Sequence, residues 1–348
     1  MNKSKIEWCD HTFNPITGCR HGCEYCYARR MTARFSGDIR LNKMCKAEYR
    51  MIEAEDGSGP LYILDRPMVG DTGNMIVYPF GFEPTYHRYR YERLDTLKMG
   101  NNIFVGAMAD VFGDWVPDEW ISEMFAELKK RSVHNYIFLT KNPERYTRAK
   151  VPIADNMWYG TSITCDRDAS RFNYLPAFCN TFVSIEPLHG DIANKHSVMF
   201  RQVKWIIIGA ETGNRKNKVT PLLSWVLRIC KAADAEGIPI FMKDSLIPIV
   251  GESNMRREYP EGLKIKSISE KMIKKLYDSC NICGKTAKKN ELVELLAKTS
   301  REKWDVPYGY MCRECFEKHC EAMNVNPADV YAKADRKETE DEEKLQKK

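Results

Sequence analysis

From residue 100 onward, short β-rich runs alternate with helical patterns, and this alternation constrains the fold more than any other feature of the chain. NIFVGAMADVF (102–112) reads as a buried strand and its end. NYIFLT (135–140), MWYGTSIT (157–164), TFVSIEPL (181–188), VKWIIIGAE (203–211) and IPIFMK (238–243) read as five more. Between them, Trp120 to Arg131 has a helical period that puts Ile121, Met124, Phe125 and Leu128 on one face. KNPERY opens another helix, and Pro221 to Glu236 forms a third that stops at Gly237. With an N-terminal strand near Ile6 to Phe13, the chain holds about seven βα units. Strands that alternate with helices imply a parallel sheet, and this many units imply a full or partial barrel. Polar residues fall at the strand C-terminal ends: Asp110, Thr140, Lys141, Ser162, Thr164, Glu186, Glu211 and Lys243. In barrels that rim carries the chemistry. The plainer reading is that these groups simply face water.

The 348 residues accommodate a barrel of about 250 residues and a small extra module. The net charge of +6 permits a nucleic-acid partner without demanding one. The start, MNKSKIEWCDHTFNP, has no apolar run, and no stretch reaches the 18 or so apolar residues of a membrane span. The expectation is a soluble, cytoplasmic protein with no membrane partner. Residues 36–95 break the alternation and read as an insertion after the first helix, a lid or substrate-facing loop. Its run YPFGFEPTYHRYRYERL (78–94) interleaves aromatics with Arg, a composition that can stack on a base and contact phosphates. The same run also suits a tyrosine-rich loop packed on the barrel.

Thirteen cysteines in a long chain with no visible signal point to metal or cluster ligation rather than a disulfide framework. Six are scattered (Cys9, Cys45, Cys165, Cys179, Cys230, Cys320) and read as unreactive buried thiols. The other seven fall into two groups. The first, GCRHGCEYCYARR (18–30), spaces Cys19, Cys23 and Cys26 as C-x3-C-x2-C. Three thiolates on one loop can hold three irons of a [4Fe–4S] cubane, and the absence of a nearby fourth leaves one iron open. An open position is the mark of a catalytic rather than a closed metal site. A zinc site with His21 as fourth ligand is the alternative.

The triad, with an aromatic residue just before its last cysteine, resembles the signature of the radical S-adenosylmethionine (SAM) superfamily. Across roughly residues 5–250 the chain is similar to a phage-associated branch of that superfamily and to spore photoproduct lyases. The segments that carry the likeness are TFNPITGCRHGCEYCYA (12–28), PFGFEPTYHRYR (79–90), NIFVGAMADVFGDWVPDEW (102–120), FLTKNPERY (138–146), SIEPL (184–188), IGAETG (208–213) and IPIFMK (238–243). The resemblance implies a partial (β/α)6-type TIM barrel, a [4Fe–4S] cluster and SAM. It implies that Tyr25 lies against the SAM adenine, that Lys141 meets its carboxylate and that Ser162 sits by its ribose or methionine part. Glu186, in SIEPL, joins them as a cofactor-binding residue. Tyr27 matches a tyrosine that relays a radical. Asp110 is expected to contact the SAM ammonium or the substrate. One departure stands out: photoproduct lyases carry a hydrogen-donating cysteine on the second strand, and here Ala107 occupies the matching place. That argues against photoproduct repair. A reducing partner such as flavodoxin or ferredoxin is implied.

The second group comprises two C-x2-C knuckles, Cys280 and Cys283, then Cys312 and Cys315, with 28 residues between them. Four thiolates in this pattern suit tetrahedral zinc in a ribbon with a long finger (284–311), and a second iron–sulfur cluster is the competitor. His319 or Cys320 is an alternative ligand. Lys264 to Lys289 carries eight lysines against two acids, able to neutralise phosphates or simply to stay solvated. The domains read as a barrel over 1–251, a basic segment with the four-cysteine zinc-ribbon-like module over 252–325, and a charged, disordered tail over 326–348.

Together these features predict an enzyme that uses the cluster to cleave SAM and abstract hydrogen from a nucleobase in DNA or a nucleotide. A base in a duplex would have to be flipped out or single-stranded. The alternatives are modification of a small molecule or peptide, or a non-catalytic zinc-binding nucleic-acid adaptor.

Overall fold

The computed structural model describes residues 4–97, 100–213, 215–264, 277–284, 286–288, 292–298 and 305–323. The chain divides into two compact units, Met1–Ser267 and Ile268–Lys348.

The strands of the first unit are β1 (His11–Phe13), β2 (Ile16–Thr17), β3 (Arg50–Glu53), β4 (Pro60–Leu64), β5 (Thr85–His87), β6 (Asn102–Val105), β7 (Asn135–Thr140), β8 (Met157–Ser162), β9 (Asn180–Ile185), β10 (Ile206–Ile208) and β11 (Ile240–Met242). Seven of them form one parallel sheet in the order β1-β6-β7-β8-β9-β10-β11. It is an α/β half-barrel, curled but open, with β1 and β11 at its edges. These are the strands that the periodicity predicts, trimmed at their ends.

The strands are buried on both faces, as parallel strands covered by helices must be. Their period of two sorts the side chains. Ile103, Val105, Tyr136, Phe138 and Tyr159 join one core on the helix side, and Ile206, Ile208, Ile240 and Met242 join a second. Phe104, Ile137, Trp158, Phe182, Ile207 and Phe241 point the other way and pack with Trp8, Trp205 and Leu263 inside the curl. This aromatic plug fills the interior below the strand C-terminal ends.

On the helix side, α1 (Tyr27–Arg34) follows the cysteine loop and α2 (Ile39–Met44) comes next. Then α3 (Asp118–Lys129) buries Ile121, Met124, Phe125 and Leu128, the face read from the sequence. Beyond the short α4 (Glu144–Arg148) and α5 (Ile192–His196), α6 (Leu223–Ala235) ends before Gly237, whose φ of 65° suits a residue without Cβ.

In the run 102–112 the strand ends at Val105, where Gly106 turns the chain at φ 85°; a Cβ there would come within 2.8 Å of Val111 Cγ1. Two expectations are corrected. The insertion over 36–95 is no open loop. Its strands add to β2 in a second sheet, β2-β5-β4-β3, and Tyr62, Phe80, Tyr86 and Tyr91 are buried, in keeping with the reading of a tyrosine-rich segment packed on the barrel. Tyr86 and Tyr91 are buried, and Arg90 donates to the carbonyls of Asn14 (2.8 Å) and Val77 (2.7 Å). His87, wholly buried against Thr17, is pushed well below the usual histidine range by burial. These side chains cannot reach a base. Finally, the first unit does not end at 251. Met242 and Glu258 donate backbone bonds to Arg256 and Ile240, and Leu263 enters the aromatic plug, so 252–264 belongs to the half-barrel.

In the second unit β12 (Tyr277–Ser279) pairs antiparallel with β13 (Thr286–Lys288), and β14 (Leu292–Lys298) pairs antiparallel with β15 (Asp305–Cys312). A helix, Arg313–Ala322, follows. The β14–β15 hairpin is the long finger. Most of the basic stretch 264–289 and all of the tail over 326–348, for which disorder is expected, lie outside the described residues. Among the described residues, no helix is long and apolar enough to cross a membrane.

Candidate functional site

A cavity of about 290 Å³ opens above the aromatic plug at the strand C-terminal ends. Trp8 and Phe104 from the plug contribute to its wall, together with Cys19, Cys23, Tyr25, Tyr27, Arg30, Asp110, Lys141, Ser162, Glu186 and Lys243. Every non-cysteine site residue expected from the sequence lines it, and so do two of the three loop cysteines. Cys26 stands one turn on, as the N-cap of α1. Its volume lies just under the usual range for ligand pockets.

The cysteine loop is fixed to the sheet by backbone. Gly18 donates to the Met108 carbonyl at 2.9 Å, and its φ of 89° is open to glycine. A Cβ at Gly18 would lie 2.4 Å from the Glu83 carbonyl oxygen, so no other residue fits. Burial pushes the Cys19 thiol up to about 12, with the charge of Asp110 and then Cys23 and Cys26 adding to the shift. Cys19, Cys23 and Cys26 share one loop and are soft donors of the kind that a bound metal takes as thiolates. The chemistry of the donors therefore fits a cluster or metal.

Asp110 is the hub of the rim. Its Oδ2 pairs with His21 Nε2 (2.7 Å) and accepts the Lys141 backbone N–H (2.9 Å). Its Oδ1 accepts the Thr140 hydroxyl (2.7 Å) and the Phe112 N–H (3.1 Å). Burial acts to raise its pKa, but these donors, His21 foremost, hold the carboxyl below its ordinary value. Both oxygens are engaged by donors from the cysteine loop and two strand ends, and the residue also lines the cavity in which contact with the SAM ammonium or substrate is expected. Asp110 positions other groups. The His21 ring has its Nε2 committed to Asp110, which fixes the orientation of the imidazole.

Lys141 Nζ donates to the Tyr25 hydroxyl at 2.7 Å. The Tyr25 ring meets His189 edge-on, with centroids 5.7 Å apart, and His189 pairs with Glu211 at 3.1 Å. Arg215 binds both Glu211 oxygens, and its hydrogen bond takes that carboxyl down to about 2. Glu186 is tied to Lys243, and Gly209 leaves room for its side chain: a Cβ there would lie 3.1 Å from it. Tyr27 leaves half its surface in solvent, while its hydroxyl donates to the Ala107 carbonyl at 2.9 Å. Ser162 is buried on the cavity wall, its carbonyl held by Arg171.

The sequence reading missed the His21–Asp110 pair, the Lys243–Glu186 pair and Arg30. A histidine inside the cysteine loop was the one available signal, and it pointed only to a metal.

In the second unit the ligand atoms of Cys280, Cys283, Cys312 and Cys315 all lie within 4.8 Å of one another. Cys283 and Cys312 have their sulfurs 3.8 Å apart. A zinc tetrahedron with bonds of about 2.3 Å has edges of about 3.8 Å. The four thiols can therefore bind a metal ion. Cys320 packs instead in the small core with Leu292, Met311 and Phe316, and His319 is exposed, so neither joins the group. Of the scattered cysteines, Cys179 is also buried and Cys45 is exposed.

Fold and sites together define an α/β half-barrel protein with a thiol-walled cavity and a separate four-cysteine metal-binding module. A family model described as Protein of unknown function (DUF5131) matches residues 3–246, and the chain belongs to that family. No curated protein and no solved structure matches it.

Proposed function

We propose that the protein is a radical SAM enzyme whose curled sheet is a partial (β/α)6-type TIM barrel. The observation that carries this reading is the C-x3-C-x2-C loop set at a cavity on the strand C-terminal ends, with Lys141 and Ser162 on the same cavity. Cys19, Cys23 and Cys26 would hold a [4Fe–4S] cluster, which with SAM supplies a carbon radical able to abstract hydrogen.

The chain's own residues prepare that chemistry. Asp110 anchors the cysteine loop through His21 and aims Lys141 through its backbone N–H. Lys141, held by the Tyr25 hydroxyl, offers an ammonium to the SAM carboxylate. The Tyr25 ring offers an apolar face to the adenine. The aromatic plug, with Trp8 and Phe104, closes the cavity floor to water. Glu186 arrives already neutralised by Lys243, so it takes a hydrogen-bonding role rather than that of a free carboxylate. The sulfur spacing of the second unit supports a single tetrahedral zinc there. The substrate is a nucleobase in DNA or a nucleotide, a reading supported by the basic net charge and by the exposed arginines of α1 beside the cavity.

The test is anaerobic reconstitution with iron and sulfide, dithionite reduction, and chromatography for 5′-deoxyadenosine from added SAM. Product that requires all three loop cysteines is the expected result. Zinc in both cysteine groups, with no iron bound, would sink the reading in favour of a nucleic-acid adaptor.

A further inference from the structure

The cavity is lined by three carboxylates, and each has a cationic or histidine partner in place. Asp110 has His21, Glu186 has Lys243, and Glu211 has Arg215 and His189. Two cations on the same lining have no carboxylate partner among the described residues. Lys141 is bound to the neutral Tyr25 hydroxyl. Arg30 has no hydrogen bond or ion pair among the described residues.

Arg30 lies on α1, four residues past Cys26, and is exposed at the mouth of the cavity. The loop after β10 makes way for it. Gly213 sits at φ 90°, and a Cβ built there would come 3.4 Å from a terminal nitrogen of Arg30. Its neighbours on the helix extend the positive surface outward. Arg29 and Arg34 are both exposed, Arg29 lying over the Phe82 ring at 4.8 Å and Arg34 over Phe35 at 5.9 Å. An unpaired guanidinium at the rim of a cavity whose own acids are neutralised is a receptor for an anion. A basic helix leading away from it fits an anion that repeats along a chain.

We propose that Arg30 binds the phosphate next to the reacting nucleotide, so that the base enters the cavity while the phosphodiester backbone follows α1. This rests on the proposed nucleotide reading and sharpens it: the substrate carries a phosphate. The guanidinium forks onto two phosphate oxygens, and Arg29 and Arg34 add charge without reaching the cavity.

The test is calorimetric titration of the reconstituted protein with the four deoxynucleosides, their 5′-monophosphates, and glutarate as a carboxylate probe. Wild type should bind at least one monophosphate about tenfold or more tightly than its nucleoside, the worth of a charge-assisted pair. Arg30→Gln should erase that preference. Arg30→Lys should retain part of it, since an ammonium keeps the charge but not the fork. The salt dependence of oligonucleotide binding should lose about one unit of slope in Arg30→Gln. An Arg30→Gln protein that keeps the phosphate preference overturns the proposal, as does a wild type that shows none. Arg30-dependent binding of glutarate in place of the monophosphates would reassign the site to carboxylates. Formation of 5′-deoxyadenosine by the same wild-type preparation is scored separately. Its absence from a cluster-loaded protein would refute the radical SAM reading while leaving the phosphate result standing.

Discussion

The two cysteine groups of this chain show how the same side chain serves opposite ends. In the second unit four sulfurs converge within 4.8 Å of one another, and a small core of Leu292, Met311, Phe316 and Cys320 backs them. Four thiols are enough for one tetrahedral ion, so the group can bind a metal with no position left open. In the first unit three thiols sit on a glycine-anchored loop at the cavity, among polar groups already paired with one another. Under the proposed reading, three donors beside a cavity leave one coordination position open, and the contrast is between a closed donor set and an open one.

The largest test of that contrast is Cys23→Ala. Under the proposed reading it abolishes cluster loading and all 5′-deoxyadenosine formation, while the zinc content of the second unit is unchanged. Retained cleavage would end the comparison. Next is Cys283→Ser, which should remove the zinc and melt the second unit, because apparent zinc binding of about 10 kcal/mol or more is folding energy in such modules. Iron loading should persist; joint loss of both metals in either variant would show that the sites are not independent.

Asp110→Asn comes third. It disrupts a buried carboxylate that serves four donors, and losing hydrogen bonds to a charged group typically costs about 1.5–3 kcal/mol. Thermal melting of the first unit should fall accordingly, with iron content falling alongside and zinc unaffected. A variant that melts and loads like wild type would refute the positioning role. Lys141→Ala is expected to weaken SAM binding about tenfold or more with the cluster still in place, as measured by equilibrium dialysis of labelled SAM.

The smallest effect concerns pH. His134 is buried with its Nδ1 unpartnered, and burial lowers it to about 4. Buried His87 is lowered in the same direction. In each case the unfolded state takes up protons more readily. Stability of the first unit is therefore full above about pH 6.5, and it declines as pH falls from there toward the folded values. His134→Asn should flatten the melting temperature between pH 7 and 5 relative to wild type. An equally steep decline in the variant would assign the loss elsewhere.

Much of the half-barrel was legible because its signal is local. Strands such as NYIFLT and MWYGTSIT are runs of β-branched and aromatic residues, and the apolar face of α3 repeats at helical spacing. The knuckles were legible for the same reason, since C-x2-C is short enough to set its own geometry. The aromatic-basic run over 78–94 allowed two readings because composition cannot tell a stacking surface from a packed one, and the packed reading is the one the structure shows. Tyr86 and Tyr91 bury against Phe13 and Trp120, and the Arg90 guanidinium finds carbonyls rather than phosphates. The boundary at 251 failed because pairing of 256–258 along β11 leaves no trace in periodicity.

By itself, the sequence determined the parallel α/β architecture, the two donor sets and the residue types at the strand ends, because each depends on spacing within a few residues. Only the tertiary structure decided which charges are spent and which are free. Asp110 meets His21 from 89 residues away, and Lys243 meets Glu186 from 57 away. Those meetings follow from the register of parallel strands, which brings distant strand ends to one rim. Among the described residues they leave Arg30 without a carboxylate partner, a feature of the electrostatics that no local pattern encodes.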